Sequence, residues 1–287
     1  MAKLLDGKMV SDPILREISK ETEKIPAEIP HPKLAIIRSG NKSDDINNEK
    51  SLKKAAADRG IETEVFVFPW DIAKDELLSN IRSIGAREDI HGVIPFLPFL
   101  LPDYMSWENE IRNSVPQEKD VACISRSTAS RLYFADFSGF LPPASQAVIE
   151  LLQYYEVPLE GRNVTIVDSS LRVGKPLSLL LLQENATVTL CSAKNENLAA
   201  TTRQADIVIA ALNEPRFLTA DYFSEGQVVI DTGVNKTEDG YCGDVDYEAV
   251  ANVVAALNPL PATAGSVGGV AMALILRSVM SAYKNII

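Results

Sequence analysis

Residues 168–176 carry residue types that could bind a phosphate group. They read Asp-Ser-Ser-Leu-Arg-Val-Gly-Lys-Pro, follow an apolar strand pattern and lead into a helical pattern. A dinucleotide site uses glycines in this turn so that backbone N–H groups and the helix amino terminus can approach the pyrophosphate. Gly174 is present, but the GxGxxG pattern is not. Gly174 therefore fits two roles equally well, a phosphate contact or a helix-start glycine.

A carboxylate in this turn opposes phosphate binding. Two like charges about 4 Å apart repel each other by about 4 kcal/mol at an effective dielectric constant of about 20, and Asp168 would impose this cost. Arg172 or Lys175 could offset the charge, and Lys194 stands where a ribose phosphate contact is plausible. The alternative is that Asp168 is the N-cap of the following helix, a position at which aspartate is favoured.

Cysteine and histidine are too few and too scattered to suggest a metal site. The three cysteines, Cys123, Cys191 and Cys242, lack CxxC spacing, and the only histidines are His31 and His91. An odd number of cysteines argues against a disulfide framework and favours a reducing compartment. We therefore expect no metal and a cytoplasmic location.

Length and charge narrow the class of protein. The 287 residues suggest about two domains. The 28 basic and 39 acidic side chains give a net charge of −11, which argues against binding the backbone of nucleic acids. The apolar runs at 92–102 and 177–182 are shorter than the roughly 20 residues of a membrane span. We expect neither nucleic acid nor a membrane as a partner.

Strand patterns alternate with helical patterns along the chain. Strands are predicted at 33–38, 62–68, 92–96, 163–167, 186–191, 206–211 and 227–231, and helices at 10–24, 45–59, 75–84, 145–155 and 174–184. Strands separated by helices predict an α/β fold with parallel sheets. The elements form two sets, which predicts a parallel α/β domain at 1–140 plus 268–287 and a Rossmann-like, dinucleotide-binding-type domain at 141–267. The last helix, at about 269–284, is predicted to return to the first domain.

Several segments match one protein family in residue identity, in order along the chain and in spacing. They are DIHGVI at 89–94, EKDV at 118–121, the stretch from GRN at 161 to VGKP at 173–176, DTGVN at 231–235 and GDVD at 243–246. Almost end to end, the chain resembles the bifunctional methylenetetrahydrofolate dehydrogenase/methenyltetrahydrofolate cyclohydrolase family. The resemblance implies a two-domain homodimer, with a small-molecule folate ligand in the interdomain cleft and NADP or NAD on the second domain.

The resemblance also implies a tyrosine and a lysine four residues apart on one helix, where they share a face. An ungapped match from Gly40 to Gly60 places Asn48 at the tyrosine and Leu52 at the lysine. In the family the lysine is central to the cyclohydrolase step, and the tyrosine positions the folate. Without the lysine, hydrolysis lacks a general acid–base group that typically contributes about 10²–10⁴ to the rate. The neighbouring lysines project roughly 100–200° away from this face.

Other positions of the implied folate site are changed as well. Phe96 stands at the family's glutamine, while Ala122 and Cys123 stand at the second aspartate and the glycine of its KDVDG motif. These changes remove polar groups, and each lost polar partner costs roughly 1–3 kcal/mol of binding. Gly265 is retained in a loop, 262–266, that no longer matches the family pattern.

The implied cofactor site departs from the family in the same way. Asp168, Ser169 and Ser170 stand at a Gly-Arg-Ser motif, so a side chain is added where backbone should approach the cofactor. Gly233 is retained, and it fits a turn as well as a ligand contact. NADP or NAD therefore stays a possible cofactor that these changes count against.

Three functions remain open. The family's own reactions are one, and the dehydrogenase alone could survive because hydride transfer depends mainly on the cofactor and on positioning. A site that accepts another small molecule is the second, and the apolar Leu52, Phe96 and Ala122 favour it. A non-catalytic regulatory or scaffolding partner of an active relative is the third. The leading hypothesis is a divergent member that has lost cyclohydrolase activity and uses the cleft for another small molecule.

Overall fold

The computed structural model describes residues 1–261 and 263–286, and its contacts divide the chain into two compact units. The small-sheet unit comprises Pro13–Leu141 and Ala273–Ile287, and the large-sheet unit comprises Met1–Asp12 and Pro142–Met272. Each unit contains a parallel sheet with helices. The predicted α/β class with two parallel-sheet domains, the second of them Rossmann-like, is confirmed.

Within the described residues, three parallel strands form the sheet of the small-sheet unit, in the order β3-β2-β4. They are β2 (Lys33–Ser39), β3 (Glu62–Phe68) and β4 (Gly92–Pro95). The central strand β2 is apolar and buried because both of its neighbours and the covering helices exclude water from it. The helices are α1 (Lys8–Thr22), which belongs to this unit from Pro13 onward, α2 (Ser43–Ala57), α3 (Lys74–Ala86), α4 (Tyr104–Arg112) and α5 (Arg126–Tyr133).

The large-sheet unit has, in the described part of the chain, a six-stranded parallel sheet in the order β1-β11-β8-β7-β5-β6. The strands are β1 (Lys3–Leu4), β5 (Asn163–Val167), β6 (Thr187–Cys191), β7 (Ile207–Ala210), β8 (Val228–Asp231) and β11 (Ala256–Leu257), with a separate hairpin of β9 (Asn235–Thr237) and β10 (Gly240–Cys242). The helices are α6 (Pro143–Tyr154), α7 (Gly174–Gln183), α8 (Leu198–Arg203) and α9 (Tyr247–Val250). The strand order reverses at β5, so the loop after β5 lies at a topological switch point, where open α/β sheets bind ligands.

The amino terminus belongs to the large-sheet unit. Lys3 and Leu4 of β1 pair in parallel with Ala256 and Leu257 of β11. The predicted domain of 1–140 plus 268–287 differs from the observed unit at residues 1–12, because the two residues of β1 are too few to show a strand pattern. In the structure this pairing, and not sequence position, decides which unit holds residues 1–12.

The last helix, α10 (Val267–Ile286), returns to the small-sheet unit from Ala273 onward, as predicted. The Tyr283 hydroxyl donates to the carbonyl oxygen of Pro30 at 2.9 Å. The Lys284 ammonium lies 2.6 Å from the Glu21 carboxylate at the end of α1. These contacts hold the carboxyl-terminal helix against α1 and against the segment that follows α1.

The apolar character of α10 was not recognised from the sequence. Its stretch Val267–Asn285 is long and apolar enough to cross a membrane by length and composition alone, and 50% of it is buried in the fold. A core helix of a soluble protein passes the same test, so this finding is weak evidence for a membrane span. Val270, Leu274 and Val279 are among its buried residues.

Replacement of Gly92 by alanine should destabilise the small-sheet unit. A Cβ at this position would lie 2.9 Å from Val121 Cγ1 and 3.0 Å from Val279 Cγ2. Overpacking of this kind typically costs about 1–3 kcal/mol. Chemical denaturation of Gly92→Ala should show this loss, whereas the control Gly268→Ala, whose Cβ would be 3.6 Å from Ser266 Oγ, should not. Equal stability of Gly92→Ala and the wild type would contradict the described packing.

Candidate functional site

The carboxylate of Asp168 organises the loop between β5 and α7. Its Oδ1 accepts a hydrogen bond from the Ser170 backbone N–H at 2.7 Å. Its Oδ2 accepts from the Ser170 hydroxyl and from the Gly174 N–H, both at 2.6 Å. Asp168 is only 8% exposed, so this carboxylate faces the loop itself and not solvent.

The Ser170 hydroxyl satisfies two further donors of the same loop. Its oxygen accepts from the N–H groups of Arg172 and Val173 at 3.2 and 3.1 Å. The Ser170 carbonyl oxygen accepts from Lys175 N–H at 3.0 Å. These backbone donors, which a phosphate would need, are therefore already paired within the chain.

Asp168 and Gly174 join the end of β5 to the start of α7. The N-cap of α7 is Val173, so the expectation that Asp168 occupies that position is wrong. Asp168 instead reaches the first N–H of the helix from six residues earlier, because the loop folds back on the helix start. A Cβ on Gly174 would lie 2.6 Å from the Asp168 carbonyl oxygen, so a glycine is needed there for this close approach.

In this conformation the loop between β5 and α7 does not fit the phosphates of NADP or NAD. The donors that would cradle them are held by Asp168 and Ser170. The other predicted cofactor residues with charged or hydroxyl side chains, Ser169, Arg172 and Lys194, are exposed. The Lys194 backbone N–H donates to Ser192 Oγ at 3.3 Å.

Gly233 has a packing role beside Asp231 and the fully buried Asp244. A Cβ on Gly233 would lie 2.2 Å from Cγ of Asp244, and its N–H donates to Asp231 Oδ1 at 2.9 Å. Asp244 in turn accepts from several backbone N–H groups, among them Glu214 N–H at 2.9 Å. Burial, together with the nearby charge of Asp244, raises the pKa of Asp231 to about 7. The close approach to Asp244 therefore requires a glycine at this position.

Gly265, predicted in the substrate site, lies in the large-sheet unit. A Cβ there would be 2.1 Å from Oδ1 of Asp6, and its carbonyl oxygen accepts from Gly7 N–H at 2.8 Å. Gly265 therefore lies against Asp6 and Gly7, the two residues that precede α1, and near Pro259. Ala262 of the same predicted loop is outside the described residues.

The helix α2 carries the pair Asn48 and Leu52. Asn48 is exposed, whereas Leu52 is 4% exposed and lies on the buried stripe that also holds Asp45 and Ala56. Glu49, between them in sequence, accepts a hydrogen bond from Arg38 Nε at 2.7 Å. The predicted helix is confirmed, and its buried face presents an alkyl group where the resemblance implies a lysine.

Phe96 lies at the carboxyl end of β4. Its backbone N–H donates to the Ile37 carbonyl oxygen at 2.8 Å, and its side chain is half-buried. The strands β2 and β4 are parallel, so their carboxyl ends share one edge of the sheet. Phe96 and the start of α2 therefore follow strands that end at the same edge.

Ala122 and Cys123 lie in a turn that Asp120 holds in place. The fully buried Asp120 carboxylate accepts from the N–H groups of Ile124 and Ser125 at 3.0 and 2.8 Å and from the Thr128 hydroxyl. Ala122 is half-buried and Cys123 is 6% exposed with a φ of 52°. The positive φ is unusual for a residue with a side chain and is held by these bonds.

Sequence reasoning did not single out Asp120 as the anchor of this turn. The available signal was the Ser-x-x-Thr spacing of Ser125 and Thr128, since Ser125 caps α5 by accepting from Thr128 N–H at 3.3 Å. The bond from Thr128 to Asp120 spans eight residues, so no local pattern contains it.

Metal-binding groups and cavities among the described residues bear on what each unit could bind. Among residues 1–261 and 263–286, no group of three or more His, Cys, Asp or Glu side chains is placed to bind a metal. A cavity of about 260 Å³ lies between the end of α1 and α10, and none of its lining residues is a predicted site residue.

Comparison with known proteins identifies the family. Residues 5–122 match the catalytic-domain model of tetrahydrofolate dehydrogenase/cyclohydrolase, and residues 142–287 match the NAD(P)-binding domain of the same family. The chain belongs to this family. The resemblance drawn from the motifs is thereby confirmed, and the large-sheet unit carries the region that matches the NAD(P)-binding domain.

Relatives match this chain over nearly their full length. The bifunctional protein FolD of Carboxydothermus hydrogenoformans is 40% identical over 287 residues, covering 99% of this chain and 98% of that protein. The crystal structure of the bifunctional enzyme FolD from Campylobacter jejuni has a TM-score of 0.91 and 32% identity, with 99% of both chains covered. The Trypanosoma brucei FolD, solved with NADP cofactor and an inhibitor, has a TM-score of 0.90 and 25% identity, covering 99% of this chain and 98% of its own.

Cys123 should react slowly with alkylating reagents in the native protein. Burial raises the pKa of its thiol to about 12, which leaves roughly 10⁻⁴ of it as thiolate at about pH 8. Cys191 is half-buried and should react faster. Mass-spectrometric mapping after brief iodoacetamide treatment measures both rates, with denatured protein as the control. Native alkylation of Cys123 as fast as that of Cys191 would show that the turn opens.

Proposed function

We propose that this FolD-family protein has lost the cyclohydrolase activity and binds a different small molecule at its substrate site. The observation that supports this most is the buried Leu52 on α2, at the position where the resemblance places the lysine of the hydrolysis step. An alkyl side chain cannot transfer a proton. Hydrolysis of the methenyl bridge then lacks its general acid–base group.

The neighbouring lysines do not replace the missing group. Lys50, Lys53 and Lys54 are exposed, and the Lys53 ammonium lies 3.8 Å from the Glu49 carboxylate. Bringing one of them to the face of Leu52 would require α2 to rotate by about 100° or more and to expose its buried stripe. The wild-type helix therefore offers no ammonium on that face.

The ligand class is inferred from the same region. Phe96 and Ala122 are half-buried and apolar, and Cys123 is buried with a protonated thiol. The carboxylate of Asp120 is already bonded to its own turn. A site with this lining favours a ligand that is less polar at this end than a pterin ring, because a pterin would lose hydrogen-bond partners here.

The quaternary structure is proposed on the family resemblance alone, and the location on the odd number of cysteines. We expect a homodimer in the cytoplasm. Light scattering on the purified full chain measures the first, and a monomer at all accessible concentrations would remove that expectation.

Cyclohydrolase activity should appear when the two changed positions are restored. We expect wild-type protein to leave methenyltetrahydrofolate at its uncatalysed rate of hydrolysis. The double variant Asn48→Tyr with Leu52→Lys should hydrolyse it at least about 10²-fold faster, because a positioned acid–base group contributes about that much. Absorbance of the methenyl compound follows the reaction, and Lys54→Ala serves as the control variant at an exposed position.

Turnover by the wild type would contradict the loss of this activity. Formation of NADPH or NADH from methylenetetrahydrofolate by the wild type would favour the alternative that the dehydrogenase is retained. A defined small molecule that copurifies with the protein and is identified by mass spectrometry would support the repurposed site. A specific complex with an active relative, in the absence of any such molecule, would favour a non-catalytic partner.

A further inference from the structure

We infer that Asp168 closes the β5–α7 loop to the phosphates of a dinucleotide. Its carboxylate thereby weakens the binding of both NADP and NAD to the large-sheet unit. The inference concerns a different unit from the proposed change in the substrate site and does not depend on it. It rests on three features of the loop, namely its donors, its charge and its backbone packing.

The first feature is that the chain uses its own phosphate-binding donors. A helix amino terminus binds anions through N–H groups that have no partner within the helix. Here Asp168 takes the N–H groups of Ser170 and Gly174, and Ser170 Oγ takes those of Arg172 and Val173. A phosphate could use these donors only after Asp168 and Ser170 had released them.

The second feature is charge. The Asp168 carboxylate lies at the positive end of the α7 dipole, where a negative charge is stabilised. The carboxylate is part of the chain and 8% exposed, so it reaches this position without the entropy cost that a phosphate binding from solution would have. A phosphate entering the same place meets both an occupied positive end and a like charge at short range.

The third feature is space. The position of a Cβ on Gly174 lies 2.6 Å from the carbonyl oxygen and 2.9 Å from Oδ2 of Asp168. The backbone at the end of β5 therefore rests directly against the start of α7. A phosphate between these two segments requires the loop to open, which breaks the three hydrogen bonds of the Asp168 carboxylate.

The test is a titration of the full-length protein with NADP⁺ and with NAD⁺ by isothermal calorimetry. The variants are Asp168→Gly, which removes the carboxylate, and Asp168→Asn, which removes its charge and keeps its size. The control is Asp206→Asn, which makes the same charge change at the opposite end of β5, where Asp206 Oδ2 accepts from Asn163 N–H at 2.8 Å. Adenosine serves as a phosphate-free ligand.

We expect Asp168→Gly to bind the dinucleotides about tenfold to a hundredfold more tightly than the wild type, because charge-assisted contacts of this kind change affinity by that much. Asp168→Asn should show part of this gain in dinucleotide affinity, and Asp206→Asn should bind the dinucleotides as the wild type does. The affinity for adenosine should be the same in all variants. Thermal unfolding verifies that each variant is folded, and Asp168→Gly should melt lower because Gly174 N–H loses its acceptor. Asp168→Asn keeps the test valid if Asp168→Gly does not fold.

Equal dinucleotide affinity of the wild type and folded Asp168 variants would overturn the inference. An equal gain in Asp206→Asn would also overturn it, because the effect would then come from net charge and not from the loop. Since binding is measured without folate and without turnover, these results stand apart from any outcome of the cyclohydrolase assay.

Discussion

The N–H groups that begin a helix have no partner inside it, and in the large-sheet unit the Asp168 carboxylate accepts from the first N–H of α7, that of Gly174. This contact joins the end of β5 to the start of α7 at the switch point of the sheet. It fixes the path of the loop, and it sets the close approach that requires Gly174. The first N–H of α7 is consequently paired within the chain.

In the small-sheet unit as well, side chains near the predicted site make their contacts within the chain. Asp120 lies in the EKDV motif, and its carboxylate is bonded to the turn that carries Cys123. Leu52 is packed into the buried face of α2. According to the proposed function, the chain keeps the family fold. Side chains at positions that would contact folate or a dinucleotide instead make contacts within the chain. Such exchanges are compatible with an unchanged fold because function depends on sites and not on the fold.

The sequence predicted the sheets and most of the helices because their patterns are local. The apolar run at 33–38 became β2, Lys33–Ser39, and the helical pattern at 174–184 became α7, Gly174–Gln183. The helices α4, α5, α8 and α9 were not predicted. The partners of Asp168 and Asp120 were missed because those bonds join residues up to six and eight positions apart through irregular loops. Sequence spacing alone placed Asn48 and Leu52 on one face and could not show that one is exposed and the other buried.

Amide hydrogen exchange in residues 168–175 tests the central claim most directly. If Asp168 and Ser170 hold the loop, the N–H groups of Ser170, Val173 and Gly174 exchange slowly in the free protein. Addition of NADP⁺ should then leave their exchange rates unchanged. Fast exchange in the free protein, followed by protection of the same amides when NADP⁺ is added, would contradict the account, because it would show a loop open to the cofactor.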